Sequence, residues 1–376
     1  MKYKEMKLGD VAEINMGQSP NSKYFNSDGK GIEFLQGIRT FGENYPSFDT
    51  YTTQYNKISK KGDILFSIRA PVGKVNWSDR KIAIGRGLAA LNVLPNFSSK
   101  YVYYFLKKVG SQINSISSGT VFSSINKKEL ANVKILIPDS LKDQEYIGTR
   151  LTLLDKKIEL NNQVNDNLSN ILLLNLAELI NLNKFKLKKI SNLEITVSDH
   201  VANGSFKSLK NNVSYFDKPN YALFIRNIDF KNNLEGNKKY IDKKSYDYLK
   251  KSHLSGGEVV ISNVADVGSV HRTPFIKIPM VVGNNQIFIK SEKTFLTDYL
   301  YVYFQSFWGQ HAIFSITSGS AQQKFNKTDF RSLEVPIPTK DWIRENIQPY
   351  LTLQDNIFKE NVFLKQIKIN LINKYF

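Results

Sequence analysis

Between Leu141 and Lys184 apolar side chains recur at alternating steps of four and three. Ile147, Leu151, Leu154, Ile158, Asn161, Asn165, Leu168, Leu172, Asn175, Leu179 and Leu182 form one row, eight of them apolar and three Asn. That spacing is the seam of a helix laid lengthwise on another helix rather than on a rounded core. At about 1.5 Å per residue it spans roughly 65 Å, and no Gly or Pro interrupts the row after Gly148. A second row of period seven, Tyr350, Ile357, Leu364 and Leu371, marks a helix over about Lys340 to Tyr375. Its alternate positions, Ile347, Gln354, Asn361 and Lys368, are half polar. The two rows suit each other as pairing partners, the Asn residues setting register at some cost in stability.

Laying the chain on itself shows that the rest is also built twice. Ser117-Ser118-Gly119-Thr120, Asn126-Lys127-Lys128-Glu129-Leu130 and Val133 to Pro138 return 200 residues later as Thr317-Ser318-Gly319-Ser320, Asn326-Lys327-Thr328-Asp329-Phe330 and Leu333 to Pro338. The same offset pairs Tyr101-Val102-Tyr103 with Tyr301-Val302-Tyr303 and Leu151-Thr152-Leu153 with Leu351-Thr352-Leu353. Upstream it shrinks to 195 for Gly62-Asp63-Ile64 and Gly73 against Gly257-Glu258-Val259 and Gly268, and to 179 for Lys7-Leu8 against Lys186-Leu187. A drifting offset means insertions of different size within two copies of one unit. Short apolar runs after Gly, such as Asp63 to Ile68 and Val259 to Ser262, read as strands, as do Ile82-Ala83-Ile84 and Met280-Val281-Val282. Tyr101 to Leu106 and Tyr299 to Trp308 read as amphipathic helices, and Val133 to Pro138 and Leu333 to Pro338 as strands that end at Pro. The expected class is α+β, with globular regions over 1–140 and 186–339, a spacer helix over 141–185 and a C-terminal helix over 340–376.

Charge adds a partner to this picture. Residues 1–140 carry 20 Lys and Arg against 11 Asp and Glu, residues 186–340 carry 22 against 13, and the remainder 10 against 10. The formal +18 is thus two basic bodies of +9 joined by neutral helices. Such bodies suit a polyanion, most simply nucleic acid, whose counterions Lys and Arg displace. With 12% aromatic and 41% hydrophobic residues the chain can bury a core in each body. It has no cysteine, which excludes disulfides, Cys-based zinc sites and thiol catalysis. The start, Met1 to Val11, is mixed and charged, and no run of about 18 apolar residues occurs, so a soluble cytoplasmic protein is expected.

Catalytic signatures are missing. There is no Gly-x4-Gly-Lys-Ser/Thr loop for ATP and no Asn/Asp-Pro-Pro-Tyr/Phe motif for holding a flipped base. His200, His253, His271 and His311 have no metal-ligand spacing. Pro138-Asp139 with Asp155-Lys156-Lys157 imitates a nuclease signature, but Asp155 and Lys157 fall on the heptad helix, where solvated surface is the expected role.

Two variable units, each ending in an Asn-Lys…Leu…Ile-Pro segment and a heptad helix, resemble the specificity subunit of Type I restriction-modification enzymes. SGTVFSSINKKELANVKILIP and TSGSAQQKFNKTDFRSLEVPIP carry most of the likeness, which extends over the whole chain. The resemblance implies two target recognition domains, each reading half of a bipartite double-stranded DNA site. It implies helices paired as an antiparallel coiled coil about a pseudo-twofold axis, setting the half-site spacing. It also implies docking of two modification (methyltransferase) subunits, with restriction subunits possible. No cofactor is then expected on this chain, since the methyl donor and ATP belong to those partners, and the chain itself is non-catalytic. A single-chain DNA nuclease or methylation enzyme, or a coiled-coil adaptor binding RNA or protein, are the rival readings.

Under that resemblance the DNA-binding candidates follow from residue type. Arg69 beside Pro71-Val72-Gly73, and Arg86 between Gly85 and Gly87, can bring a guanidinium to a guanine edge or a phosphate. Ser118, Gly119 and Thr120, with Ser318 and Gly319, form small loops whose amides and hydroxyls suit phosphates. Beyond them the copies diverge: Gln322 or Gln323 suits adenine, Lys324 a guanine or phosphate, and Phe122 a thymine methyl. Phe34 to Arg39 resembles Phe224 to Ile228, delivering Gln36, Arg39, Arg226 and Asn227 at strand ends, and Thr40 and Asn263 extend the same argument. Ile147, Leu151, Leu154, Ile158, Leu168, Leu172 and Leu179, with Tyr350, Ile357, Leu364 and Leu371, are the expected helix-pairing positions.

Overall fold

Ile64, Leu65 and Phe66 are all fully buried because the strand Ile64–Ser67 lies between two apolar layers. Alternation sends Ile64 and Phe66 into the core shared with the helix Ser99–Val109, while Leu65 meets Leu35, Ile82 and Ile84 of a second sheet. That double burial explains why the sequence shows unbroken apolar runs there rather than alternation. Val259, Val260 and Ile261 repeat the arrangement, Val260 facing Leu223, Ile225, Met280 and Val282. The computed structural model describes residues 1–113, 124–319 and 322–376.

Two compact units result, Met1–Leu160 with Asn361–Phe376, and Asn161–Glu360. In the first, Ala12–Met16, Leu88–Val93, Ile64–Ser67 and Val75–Trp77 form a four-stranded sheet in that order. A five-stranded sheet is ordered Phe25–Asn26, Tyr51–Thr52, Ile32–Leu35, Ile82–Ile84, Ile58–Ser59, with Phe34 parallel to Ala83. A two-stranded ribbon pairs Tyr3–Lys7 with Lys134–Pro138. The second unit has the same topology: Thr196–Asp199, Gln286–Lys290, Val259–Ser262 and Val270–Arg272 in one sheet, and Tyr215–Phe216, Lys239–Ile241, Ala222–Ile225, Met280–Val282 and His253–Leu254 in the other. Phe224 runs parallel to Val281, and Lys186–Lys189 pairs with Glu334–Ile337 as the ribbon.

Hydrogen bonds correct the repeat at two places. Leu8 N–H donates to the Val133 carbonyl at 2.8 Å and Ile190 N–H to that of Leu333 at 2.9 Å, so Leu8 corresponds to Ile190 rather than to Leu187. The Tyr101 hydroxyl donates to the Leu136 carbonyl and the Tyr299 hydroxyl to that of Pro336, so Tyr101 corresponds to Tyr299 rather than Tyr301. Ile113 and Ile313, buried alike, restore the 200-residue offset downstream. The second copy therefore gains two residues near Ser306, where the expected single helix breaks into Thr294–Gln305 and Phe307–Ser315.

The central helix runs unbroken over Leu141–Asn181. The expected C-terminal helix is split into Lys340–Asn346 and Gln348–Tyr375 at Ile347 (φ −121°, ψ −57°). Pro349 has no N–H for the Glu345 carbonyl, which ends the first piece. Within the second unit Asn161 Nδ2 donates to Glu360 at 2.8 Å, Gln354 Nε2 to the Ser169 hydroxyl at 2.9 Å, and Asn175 Nδ2 to the Asn346 carbonyl at 2.9 Å. One partner's number rises as the other's falls, so the helices are antiparallel. Two of the seam Asn side chains thus bond across the pair.

The remaining seam residues divide between cores. Ile147 and Leu151 sit in the first unit's core, against which Leu371, Ile372, Tyr375 and Phe376 also pack. Leu172 and Leu179, joined by Leu176, belong to the second unit's core with Ile343, Ile347, Leu351 and Tyr350. Ile158, Leu168 and Ile357 are buried, Leu154 and Leu364 half-buried, and Leu182 is 51% exposed. Asp155 corrects another expectation, being buried rather than solvated. It accepts the Tyr104 hydroxyl at 2.7 Å and pairs with the Lys368 ammonium. Burial, helped by the Lys368 charge, pushes the neighbouring Lys107 amine down to about 8.

Candidate nucleic-acid interface

In the first unit three strand ends are stitched together by backbone hydrogen bonds. Gly85 N–H donates to the Leu35 carbonyl at 2.8 Å, Gly87 N–H to Gln36 at 3.1 Å, and Ile68 N–H to Gly87 at 2.9 Å. Ile125 N–H donates to Ile68 at 2.9 Å, and Arg69 bridges Ser124. Gly87 is required by this approach, since a Cβ there would lie 2.4 Å from the Gln36 carbonyl oxygen. Gln36, Ile38, Ser67, Arg69 and Gly87 line a recess of about 170 Å³. The Ser19 hydroxyl donates to Gln36 Oε1 and accepts from the Arg86 N–H, both at 3.1 Å.

Electrostatics separates the arginines of this unit. Arg69 and Arg86 are exposed, and their guanidinium groups have no partner among the described residues. Arg39 instead makes two bonds of 2.6 Å to Asp49, which hold that carboxyl below the usual carboxylate range. The Thr40 carbonyl accepts the Ser47 N–H at 2.8 Å. Among the described residues no hydrogen bond joins Arg39 or Thr40 to the Gln36–Arg69–Arg86 cluster.

The second unit rebuilds the frame with other side chains. Gly283 N–H donates to Ile225 at 2.7 Å, Asn263 N–H to Asn285 at 3.1 Å, and Phe325 N–H to Asn263 at 3.1 Å. Ala265 N–H donates to the Gln323 carbonyl at 3.2 Å, and Val264 bridges Lys324. Asn284-Asn285 thereby occupy the place of Arg86-Gly87. Ala265 (φ 67°), Asn285 (φ 61°) and Gly319 (φ 98°) are left-handed, and the two non-Gly residues hold strain of order 1–3 kcal/mol each at these loops. Ser318 and Lys324 exchange backbone bonds of 2.9 Å, closing the loop that exposes Gln322, Gln323 and Lys324. Those three side chains have no partner among the described residues.

Other candidates here are held by the fold. Arg226 bonds Asp229 at 2.7 Å and the Asn237 carbonyl at 2.7 Å. Asn227 donates to Asp266 at 2.6 Å, and its carbonyl lies 2.9 Å from His271 Nε2. His271 stacks on Phe230 at 4.8 Å, and burial pushes its pKa down to about 4, so it is neutral at pH 7. Asn263 Nδ2 donates to the Phe325 carbonyl at 3.2 Å. Ser118, Gly119, Thr120 and Phe122 lie outside the described residues. Ser19, Asn284 and Asn285 escaped the sequence reading; aligning Val282-Gly283-Asn284 with Ile84-Gly85-Arg86 is the signal that finds the last two.

Among the described residues no group of three His, Asp or Glu could hold a metal. His253 stacks on Tyr246 at 3.8 Å and His200 is buried. Among the described residues no helix is long and apolar enough to cross a membrane.

Residues 1–170 and 200–361 match the family model for the Type I restriction modification DNA specificity domain. The chain belongs to that family. It is 38% identical over 176 residues to the putative type I restriction enzyme MjaX specificity subunit of Methanocaldococcus jannaschii, covering 42% of this chain and 40% of that one. A putative type I specificity subunit of Mycoplasma pneumoniae is 29% identical over 154 residues, covering 40% and 38%. The chain thus spans about two fifths of the length of these curated relatives. The crystal structure of a Type-I restriction-modification system S subunit from M. genitalium shares the fold, with a TM-score of 0.60 at 17% identity over all of this chain and 96% of that one. Both copies of the loop frame lie within the stretches matched by the specificity-domain model.

Proposed function

We propose that this chain reads a bipartite double-stranded DNA sequence as the specificity subunit of a Type I restriction-modification complex. One observation carries the reading: a single loop frame is built twice but exposes Gln36, Arg69 and Arg86 in one copy and Asn284, Gln322, Gln323 and Lys324 in the other. Two readers of different bases need that combination of shared frame and divergent tips. Guanidinium and amide groups supply the major-groove chemistry, Arg toward guanine and Gln or Asn toward adenine. Ser118, Gly119, Thr120, Ser318 and Gly319 serve phosphates, and Phe122 a thymine methyl. Arg39, Arg226, Asn227 and Asn263 reach DNA only by giving up present side-chain partners, so their first role is to hold the loops. Thr40 holds its loop through its backbone carbonyl, and its hydroxyl, which has no partner among the described residues, is available to DNA.

The chain acts in the cytoplasm as a non-catalytic scaffold for two modification subunits, with restriction subunits joining them, and these partners hold the methyl donor and ATP. The helix-pairing rows set the scaffold, and the central helix leaves Leu153 60% and Leu174 68% exposed, positions suited to the modification subunits. Linking two weak readers raises affinity through effective concentration while demanding both half-sites. Mapping methylated adenines in the source genome with and without this chain tests the reading. A bipartite motif that disappears with the chain, and changes in one half when residues 318–325 are replaced, is expected. An unchanged methylation map would overturn it, as would turnover of DNA by the isolated chain given Mg²⁺ and a methyl donor.

A further inference from the structure

The second unit carries an aromatic surface that the loop frame does not explain. Its helix Phe307–Ser315 buries Gly309 and Ile313 on one side and leaves Phe307 77% and Phe314 67% exposed on the other. Seven residues apart, the two rings lie on one face about 10 Å from each other along the axis. The exposed His311 lies between them, its ring 6.4 Å from that of Phe307. With Gln310, Thr317 and Gln323 they border a recess of about 300 Å³.

Three observations bear on what this face meets. Isolated exposed apolar residues are ordinary, but paired rings beside a recess mark a contact surface. The fold does not require the rings: Phe307 lies in the stretch where the second copy gains two residues, and Phe314 stands in sequence where the first copy has Asn114. The recess is continuous with the candidate interface, because Gln323, whose carbonyl holds Ala265, lines both. The exposed, unpaired Lys324 follows it directly, and residues 186–340 carry +9.

We infer that Phe307 and Phe314 form an apolar wedge that presses on the base steps beside the half-site read by Gln322, Gln323 and Lys324. This rests on the DNA-recognition reading above. Aromatic and aliphatic side chains at such positions unstack a base step and bend the duplex, which brings more protein surface to it. The occupant is duplex DNA, and a partner protein is the alternative that the test separates.

The full chain, assembled with its modification subunits, is titrated with duplexes carrying the mapped target and 2-aminopurine at successive steps flanking each half-site. Wild type should raise the fluorescence at one step beside the second half-site. Phe307→Ala with Phe314→Ala should abolish that signal and weaken binding roughly ten- to hundredfold, the range for losing base–aromatic contacts. Phe307→Leu with Phe314→Leu should restore part of both, and unchanged melting temperature and assembly mass establish that the variants fold. Wild-type affinity and fluorescence in the double Ala variant would overturn the inference. So would a variant that binds DNA normally but loses its modification subunits, which would assign the face to protein. If wild type itself showed no preference for the mapped target over scrambled DNA, the recognition reading would fall first.

Discussion

Three of the arginines in the first unit's loops, Arg39, Arg69 and Arg86, allow a test in which the fold supplies its own control. Arg69 and Arg86 have no partner among the described residues, whereas Arg39, equally a surface arginine, is doubly bonded to Asp49. A guanidinium that meets a phosphate contributes about 0.9 to the slope of log affinity against log salt. One that is bidentate to guanine contributes about 1–3 kcal/mol of discrimination, roughly 5- to 150-fold. Arg69→Ala and Arg86→Ala should each show one of these signatures. If both contact phosphate, the double variant should lose about 1.8 from the slope on target and scrambled DNA alike. If either reads a base, the loss should be confined to the target and relaxed at one position. Arg39→Ala should change neither quantity appreciably, since its charge is already offset by Asp49. The assay is anisotropy of labelled duplex with the assembled complex between roughly 50 and 200 mM salt. Wild-type slope and specificity in the Arg69/Arg86 double variant, with a loss in Arg39→Ala, would refute the use of free side chains to rank contacts.

Other expected outcomes concern the frame. Lys368→Ala strands the buried Asp155 carboxylate and should cost about 3–5 kcal/mol in chemical denaturation, more than Asp155→Asn with Lys368→Met together; equal losses would argue against a buried pair. His271 is held neutral down to about pH 4, against 6.5 for the free side chain. As pH falls from 6.5 toward 4 the unfolded chain takes up a proton that the folded one refuses, so up to about 3 kcal/mol of stability is lost. His200 is shifted in the same direction, so the comparison is with His271→Gln, whose stability should fall less steeply over that window. Gly73→Ala places a Cβ 1.9 Å from the Gly110 carbonyl at φ 90° and should lower the melting temperature sharply, while Gly37→Ala, which meets nothing within 4 Å, should not.

Much of this architecture was readable in the chain, and the reason is periodicity. The heptad row from Ile147 to Leu182 and the drifting repeat both reflect backbone geometry, which leaves marks at fixed spacing. The drift is ambiguous in sequence where short matches compete: Lys7-Leu8 resembles Lys186-Leu187 by identity, yet the ribbon hydrogen bonds equate Leu8 with Ile190. Tyr101-Val102-Tyr103 matched Tyr301-Val302-Tyr303 for the same reason, although the tyrosine that reaches the ribbon is Tyr299. A two-residue gain at a helix break shifts identities while each helical piece keeps its own apolar face, so a side-chain contact reveals it.

The candidate site was readable in its location and less so in its members. Strand ends and Gly-flanked loops are local features, and Gln36, Arg69, Arg86, Asn263 and Gln323 do converge within their respective units. Availability of a side chain is a non-local property. Arg39 and Asp49 lie ten residues apart across a loop, and Asn227, beside the five-stranded sheet, finds Asp266 in a loop and His271 on the four-stranded sheet. Asp155 shows the opposite error, a charge on a helix that looks solvated until Tyr104 and Lys368 close over it. Residue type therefore nominates chemistry, whereas the competition between intramolecular partners and the ligand decides which groups are free to perform it. By that criterion, among the described loop-tip residues the first unit presents free guanidinium groups and the second presents amides and the Lys324 ammonium, so the two half-sites should differ in base composition, with guanine contacts weighted toward the first.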